Sequence, residues 1–242
     1  MNTAKQIASI TDSLTAHLGT LTFSDPVTHI YNPLVYARLG YDQYVGRFGN
    51  GAKSVIWVGM NPGPFGMVQT GVPFGDVEMV RDWMRIEASV LPPADCHPKR
   101  PVLGFACPRG EVSGRRLWGW VRQRFVNPDA FFNHFFVINY CPLMFMEVSG
   151  RNRTPDKLPA AEKKGLFEIC DRALRQSIGV YRPQWVIGIG NFAEKRIREA
   201  LGGLNVKIGR ITHPSPANPK ANRGWGRRIE SELAAMGLDG LI

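Results

Sequence analysis

No stretch of this chain stays apolar over the roughly 20 residues that a bilayer demands. The opening MNTAKQIASITDSLTAHL also lacks the apolar core and small-residue cleavage site of a signal peptide. Neither a membrane span nor export is therefore expected. Cysteine is scarce: Cys96, Cys107, Cys141 and Cys170 are the full set, and no two stand at CxxC spacing, which argues against a disulfide framework or a metal cluster. They read as mostly buried thiols, because free cysteine packs as a small hydrophobe. No repeat, low-complexity tract or linker divides the 242 residues, so one domain spanning 1–242 is expected.

Acidic residues are the other shortage. Thirty basic residues face twenty acidic ones, a formal charge of +10, which favours polyanionic partners: nucleic acid first, an anionic membrane or acidic protein next. Seven cations between Lys99 and Arg124 face only Glu111, and six between Lys207 and Arg228 face no carboxylate at all. Such runs are either solvated faces or a footprint for phosphates. With 44% hydrophobic and 21% charged residues, the chain has the apolar material for a core and no bias towards disorder.

Hydrophobic periodicity predicts helices at 4–18, 33–48, 76–88, 113–125, 160–179, 191–201 and 225–236, and strands at 54–59, 135–139, 184–189 and 205–211. The alternation implies an α/β fold: a mainly parallel sheet covered on both faces, with right-handed crossovers. All carboxyl ends of such a sheet point one way, so the loops at 60–75, 139–155 and 212–222 should gather along one edge.

Those loops carry the polar residues that matter. GMNPGPFGMVQTGVPFG follows the first strand; it has the glycines of a phosphate cradle but neither the Lys and Ser/Thr of a P-loop nor GxGxxG spacing. It is either a rigid structural loop or one that orients a water through Asn61 and stacks a planar ring on Phe74. Asn139, at the junction of FFVINYCPL, offers a donor and an acceptor that match a pyrimidine edge such as uracil's, or else satisfies its own loop. His213 opens the proline-stiffened HPSPANPKANRGW and is either a site residue or a well-bonded loop histidine; His17, His29, His97 and His134 look structural or exposed.

GMNPGPFGMVQTGVPFG, NYCPL and HPSPANPKANRGW, in that order, resemble the single-strand-selective monofunctional branch of the uracil-DNA glycosylase superfamily, from about residue 25 onward. The resemblance implies a three-layer α/β/α fold around a four-stranded parallel sheet. It also implies excision of uracil and C5-oxidised uracils, such as 5-hydroxymethyluracil, from single- and double-stranded DNA, leaving an abasic site in an uncut strand. Carried over by motif position, Asn61 resembles the residue that orients the attacking water, and His213 the histidine on the O2 side of the departing base. Phe74 would stack on the base, Asn139 would read its edge, and Met60 and Gly63 would line the pocket. The classical uracil enzymes carry aspartate at the Asn61 position and tyrosine at the Gly63 position, so the small Gly63 implies room at C5.

The loop holding Pro214, Ser215, Pro216, Ala217, Asn218, Lys220 and Arg223 resembles the family's DNA-intercalating wedge, with Ala217 where arginine is common. No metal or organic cofactor is implied, DNA is the partner, and a monomer is expected. Such an enzyme would work in the cytoplasm beside the nucleoid in a prokaryote, or in a nucleus. Iron-sulfur and mismatch-specific glycosylases fit less well, for lack of the cysteine spacing and of a HPSP histidine respectively. A non-catalytic nucleic-acid-binding protein would account for charge and fold while leaving Asn61 and His213 idle.

Overall fold

The computed structural model describes residues 2–242. Its strands are β1 (His29–Tyr31), β2 (Val55–Gly59), β3 (Phe135–Asn139), β4 (Met144–Met146), β5 (Asn152–Arg153), β6 (Trp185–Ile189) and β7 (Lys207–Ile211). Its helices are α1 (Thr3–Leu18), α2 (Pro33–Tyr36), α3 (Arg38–Phe48), α4 (Met67–Thr70), α5 (Val112–Arg124), α6 (Pro128–Phe132), α7 (Ala160–Tyr181), α8 (Asn191–Ala200) and α9 (Trp225–Ala234). The four long strands pair in the order β3-β2-β6-β7, all parallel, while β1, β4 and β5 form a small antiparallel sheet.

Every residue of β2 is buried, as expected for a central strand covered on both faces. Alternate side chains show what covers them. Phe136 stacks on Tyr44 of α3 at 4.8 Å and meets Tyr181 of α7 on one face. Trp57 and Phe135 meet Phe131 of α6 and Trp120 of α5 on the other. Helices, sheet and helices thus form three layers, and truncating a core aromatic such as Trp57 to alanine should cost about 3–5 kcal/mol. The edge strand β7 turns Lys207 and Arg210 to solvent, a common guard against edge pairing.

Two helix expectations need correction. The segment 33–48 breaks at Ala37, whose backbone leaves the helical region (φ −109, ψ 27). The break lets α3 press onto the loop after β2, where a Cβ on Gly40 would strike the Thr70 carbonyl and one on Gly71 the Ala37 carbonyl. At 76–88 the helix is confined to 77–83, winding wide over Met79–Trp83, and the chain leaves it at Arg85, in the left-handed region at φ 56. The antiparallel sheet and α6 lay outside the sequence reading; α6 is capped by Asn127, whose side chain accepts from Ala130 N–H at 2.9 Å, with Pro128 opening its first turn.

Parallel register decides where the polar loops go. Gly59 and Asn139 are paired partners, and the ladder continues past the strands: Tyr140 N–H donates to Gly59 O and Cys141 N–H to Met60 O, both at 2.9 Å. Gly190 N–H likewise donates to Ile211 O at 2.9 Å, which ties the start of α8 to the end of β7. The loops after β2, β3 and β7 therefore converge on one edge. No helix among the described residues is long and apolar enough to cross a membrane.

Candidate active site

A cavity of about 300 Å³ opens beyond those strand ends, and Met60, Asn61, Gly63, Phe74, Asn139 and His213 all line it. Its floor depends on Gly59. A Cβ there would overlap Asn139 Oδ1 and lie 2.6 Å from Phe74 Cε2, so only glycine lets both side chains reach the sheet edge. Phe74 adopts a left-handed backbone (φ 54), a conformation costing on the order of 1–3 kcal/mol in a non-glycine residue. The surroundings enforce it: Trp118 Nε1–H donates to Pro73 O at 3.2 Å, and Thr70 Oγ1–H to Gly75 O at 3.0 Å. Asn139 donates through Nδ2 only to the thioether of Met67 (3.1 Å), while its Oδ1 is buried with no hydrogen-bond partner among the described residues.

Asn61 is fixed by donation from Nδ2 to Leu143 O at 3.2 Å, which leaves its carbonyl oxygen as an acceptor in the cavity. His213 accepts the Ser215 N–H at its Nδ1 (3.0 Å). A ring nitrogen that accepts carries no proton, so the neutral imidazole holds its hydrogen on Nε2. Burial favours that neutral form and pushes the His213 pKa down to about 4. Gly190, in the left-handed region at φ 93, leaves room for the ring: a Cβ there would lie 3.2 Å from His213 Cβ. The Phe74 and His213 rings stand 6.0 Å apart at 47°, walls of a single slot.

The space beside Gly63 is bounded by a carboxylate absent from the sequence-level site. A Cβ on Gly63 would overlap Glu111 Oε2, the same atom that accepts Phe65 N–H at 3.3 Å. Burial raises the Glu111 pKa against the lowering effect of its backbone donors, Phe65 and Ser113, and nearby Asp76 raises it further. Ser113, Asn152 and Thr154 complete the wall, the last two carried in by β5 and the turn after it. Glu111 is visible in the sequence as the lone acid in a basic run; Asn152 and Thr154 lie in a polar turn that carries no motif.

The wedge-like loop is brought to the same place only in part. Ser215 lines the main cavity; Ala217, Asn218 and Lys220 line an adjoining one of about 620 Å³ that shares Met60 and His213 with it and also includes Arg210 and Arg228. Pro216, Ala217, Lys220 and Arg223 are exposed, as a DNA-facing surface needs, but Pro214 is buried beneath the loop and presents no surface to a strand. The other histidines take no part: His97, the most buried, is bonded to the Glu147 and Val148 carbonyls at 3.1 Å. All four cysteines are free, Cys141 and Cys170 buried and the other two half-buried. No cluster of three or more His, Cys, Asp or Glu side chains is arranged to hold a metal ion among the described residues.

A slot with one stacking wall, a donor and orphaned acceptors, set at the carboxyl edge of a parallel sheet, is built to hold a planar polar ring. The fold as a whole is similar to that of Pedobacter heparinus SMUG2, with a TM-score of 0.72 over 99% of both chains; at 17% identity the likeness is one of fold alone. The family model for the uracil DNA glycosylase superfamily matches residues 47–232. The single-strand selective monofunctional uracil-DNA glycosylase of Rattus norvegicus is 50% identical over 227 residues, covering 93% of this chain and 82% of the relative. That of Mus musculus is 48% identical, covering 93% and 81%. The chain belongs to the uracil-DNA glycosylase superfamily and, within it, to the single-strand selective monofunctional uracil-DNA glycosylases. It is a DNA glycosylase, a hydrolase of N-glycosidic bonds that serves base-excision repair.

Proposed function

We propose that this chain, acting as one domain and as a monomer, extrudes uracil and C5-oxidised uracils from single- and double-stranded DNA. It then hydrolyses the glycosidic bond and leaves an abasic site in an uncut strand. The observation that carries the reading is the buried Asn139 carbonyl without a partner. An unpaired buried acceptor costs about 1–3 kcal/mol, and a donor such as uracil N3–H offsets it, while Asn139 Nδ2 exchanges a weak thioether for the O4 carbonyl. Cytosine presents an acceptor at N3 and a donor at N4, the reverse pattern, and is disfavoured.

The chemistry follows from the remaining side chains. Asn61 cannot take a proton at neutral pH, so it positions water through its free carbonyl, and the reaction depends on the base leaving first towards an oxocarbenium-like sugar. As the bond breaks, negative charge gathers on the base, and Nε2–H of His213 donates to O2 most strongly in that transition state. No lysine lines the cavity to attack C1′, in keeping with excision without strand cleavage.

Gly63 and Glu111 support tolerance at C5. A 5-hydroxymethyl group can donate its hydroxyl to the Glu111 carboxylate, whereas the methyl of thymine would strip water from that group and return no hydrogen bond. Extrusion from a duplex costs a few kcal/mol, offset by the wedge loop and by phosphate contacts from Lys220 and Arg223. Ala217 puts only a methyl at the exposed loop tip, so duplex substrates should react more slowly than single strands. A DNA enzyme of this kind would act in a nucleus, or beside a nucleoid.

The test is base release from oligonucleotides carrying one uracil, 5-hydroxymethyluracil or thymine, single-stranded and opposite guanine, by the wild type and by His213→Ala. Loss of excision with DNA affinity retained supports the reading; unchanged excision overturns the role of His213.

A further inference from the structure

The wedge loop is held at one carbonyl after another. Trp225 Nε1–H donates to Thr212 O at 2.7 Å, Asn218 Nδ2–H to His213 O at 3.0 Å, and Asn222 Nδ2–H to Pro216 O at 3.0 Å. These three ties come from the loop itself or from α9 just after it. The fourth comes from α5, far from the loop in sequence but packed beside α9 through Trp120 and Trp225. Arg116, half-buried on α5, donates through Nη1 to Pro214 O at 3.0 Å and through Nη2 to Asn222 Oδ1 at 2.9 Å. The second bond also orients the Asn222 amide, so that its nitrogen faces Pro216.

α5 is well placed to be the anchor. Glu111 and Ser113, at its start, line the base cavity, and a Cβ on Gly114 would strike the Phe74 carbonyl, so this first turn lies against the stacking residue. One turn further on, Arg116 grips the residue that follows His213. Stacking wall, C5 wall and wedge are thereby referred to one rigid helix.

We propose that Arg116 is a positioning residue for excision: its planar fork clamps the loop of residues 214–222 to α5, and so holds the wedge in register with the base slot. The proposal rests on the glycosylase reading. It also takes Arg116 out of the phosphate-binding footprint to which a basic run assigns it, because both of its outer nitrogens are committed within the protein. Lysine cannot replace it, since one ammonium group cannot reproduce a two-pronged planar contact.

The experiment compares wild type, Arg116→Ala, Arg116→Lys, Asn222→Ala and the double variant Arg116→Ala with Asn222→Ala on uracil in single strands and opposite guanine. It reads single-turnover rate, DNA affinity, the salt dependence of affinity, and thermal stability. Misplacing the wedge should lower the duplex rate on the order of 10- to 100-fold, with a much smaller loss on single strands, where no base pair must be opened. Arg116→Lys should be as slow as Arg116→Ala, affinity and its salt slope should stay unchanged, and the double variant with Asn222→Ala should be no slower than either single one. Rescue by lysine, or a salt slope shallower by about one, would identify a phosphate contact and overturn the proposal. Equal losses on both substrates with lowered thermal stability would make Arg116 merely structural, and an unchanged duplex rate would leave it no role; either result overturns the clamp. If the wild type releases no uracil at all, the functional reading fails rather than this one.

Discussion

Protonation of His213 offers a sharp check on the chemistry. Its Nδ1 accepts from Ser215 N–H at 3.0 Å, and burial lowers its pKa from an ordinary 6.5 to about 4. At pH 7 a group with that pKa is charged in about one molecule in a thousand. Burial thus favours the neutral ring by about 3 kcal/mol. In the proposed mechanism His213 therefore acts as a neutral donor, protonated on Nε2 throughout the physiological range. The single-turnover excision rate should show no step attributable to this residue between pH 8 and 5, and His213→Ala should lower it on the order of 10² to 10³-fold. For stability the sign is fixed: between pH 6.5 and 4 the unfolded chain binds a proton at this site and the folded chain does not. His213 thus contributes full stability above pH 6.5, and that contribution falls away as the pH drops towards 4. Long-range ¹H–¹⁵N correlation spectra of the imidazole, titrated from pH 8 to 4.5, read tautomer and pKa together. A cationic ring at pH 7, or a proton on Nδ1, would rule out a neutral Nε2–H donor.

Other outcomes follow from the same geometry. Gly59→Ala pushes a methyl into Asn139 Oδ1 and the Phe74 ring, so single-turnover excision should fall on the order of 10²-fold, and thermal melts should show a loss of about 1–3 kcal/mol. Glu111→Ala removes the carboxylate that thymine would desolvate, and excision rates on 5-hydroxymethyluracil and thymine should converge by about 10- to 100-fold. Lys53 is buried with its ammonium 2.6 Å from Phe132 O, and burial lowers its pKa to about 8. Between pH 8 and 10.5 the unfolded chain alone holds that proton, so stability rises across this window. Denaturation of Lys53→Met at a series of pH values should show that rise removed.

Much of this arrangement was legible beforehand because the informative residues sit where strands end. An apolar run closing on Gly-Met-Asn-Pro, another on Asn-Tyr-Cys-Pro and a third on His-Pro-Ser-Pro mark three parallel carboxyl ends, and parallel register then brings Asn61, Asn139 and His213 together. What escaped was set by contacts between distant segments. β4 and β5 are two or three residues long, too short for any periodicity, yet they deliver Asn152 to the pocket. The apolar pattern over 76–88 suits a helix, but the left-handed Arg85 ends it, and buried Asp76 is engaged instead by Glu111 N–H at 2.8 Å and by Arg115. The start of α6 is signalled by Asn127-Pro128-Asp129, but its five residues are too few to show a helical period. Arg116 reads from composition as one more surface cation; only the path of the loop after His213 gives its guanidinium two acceptors.

The pocket is expected to hydrolyse the bond between uracil and deoxyribose without a covalent lysine. Mass spectrometry of a uracil-containing single strand after incubation with the protein, with no alkali added, tests it directly. Free uracil and an uncut abasic strand, in equal amounts, are the predicted products. DNA bound but no uracil released would contradict the account, as would shortened fragments or a strand trapped on the protein by borohydride.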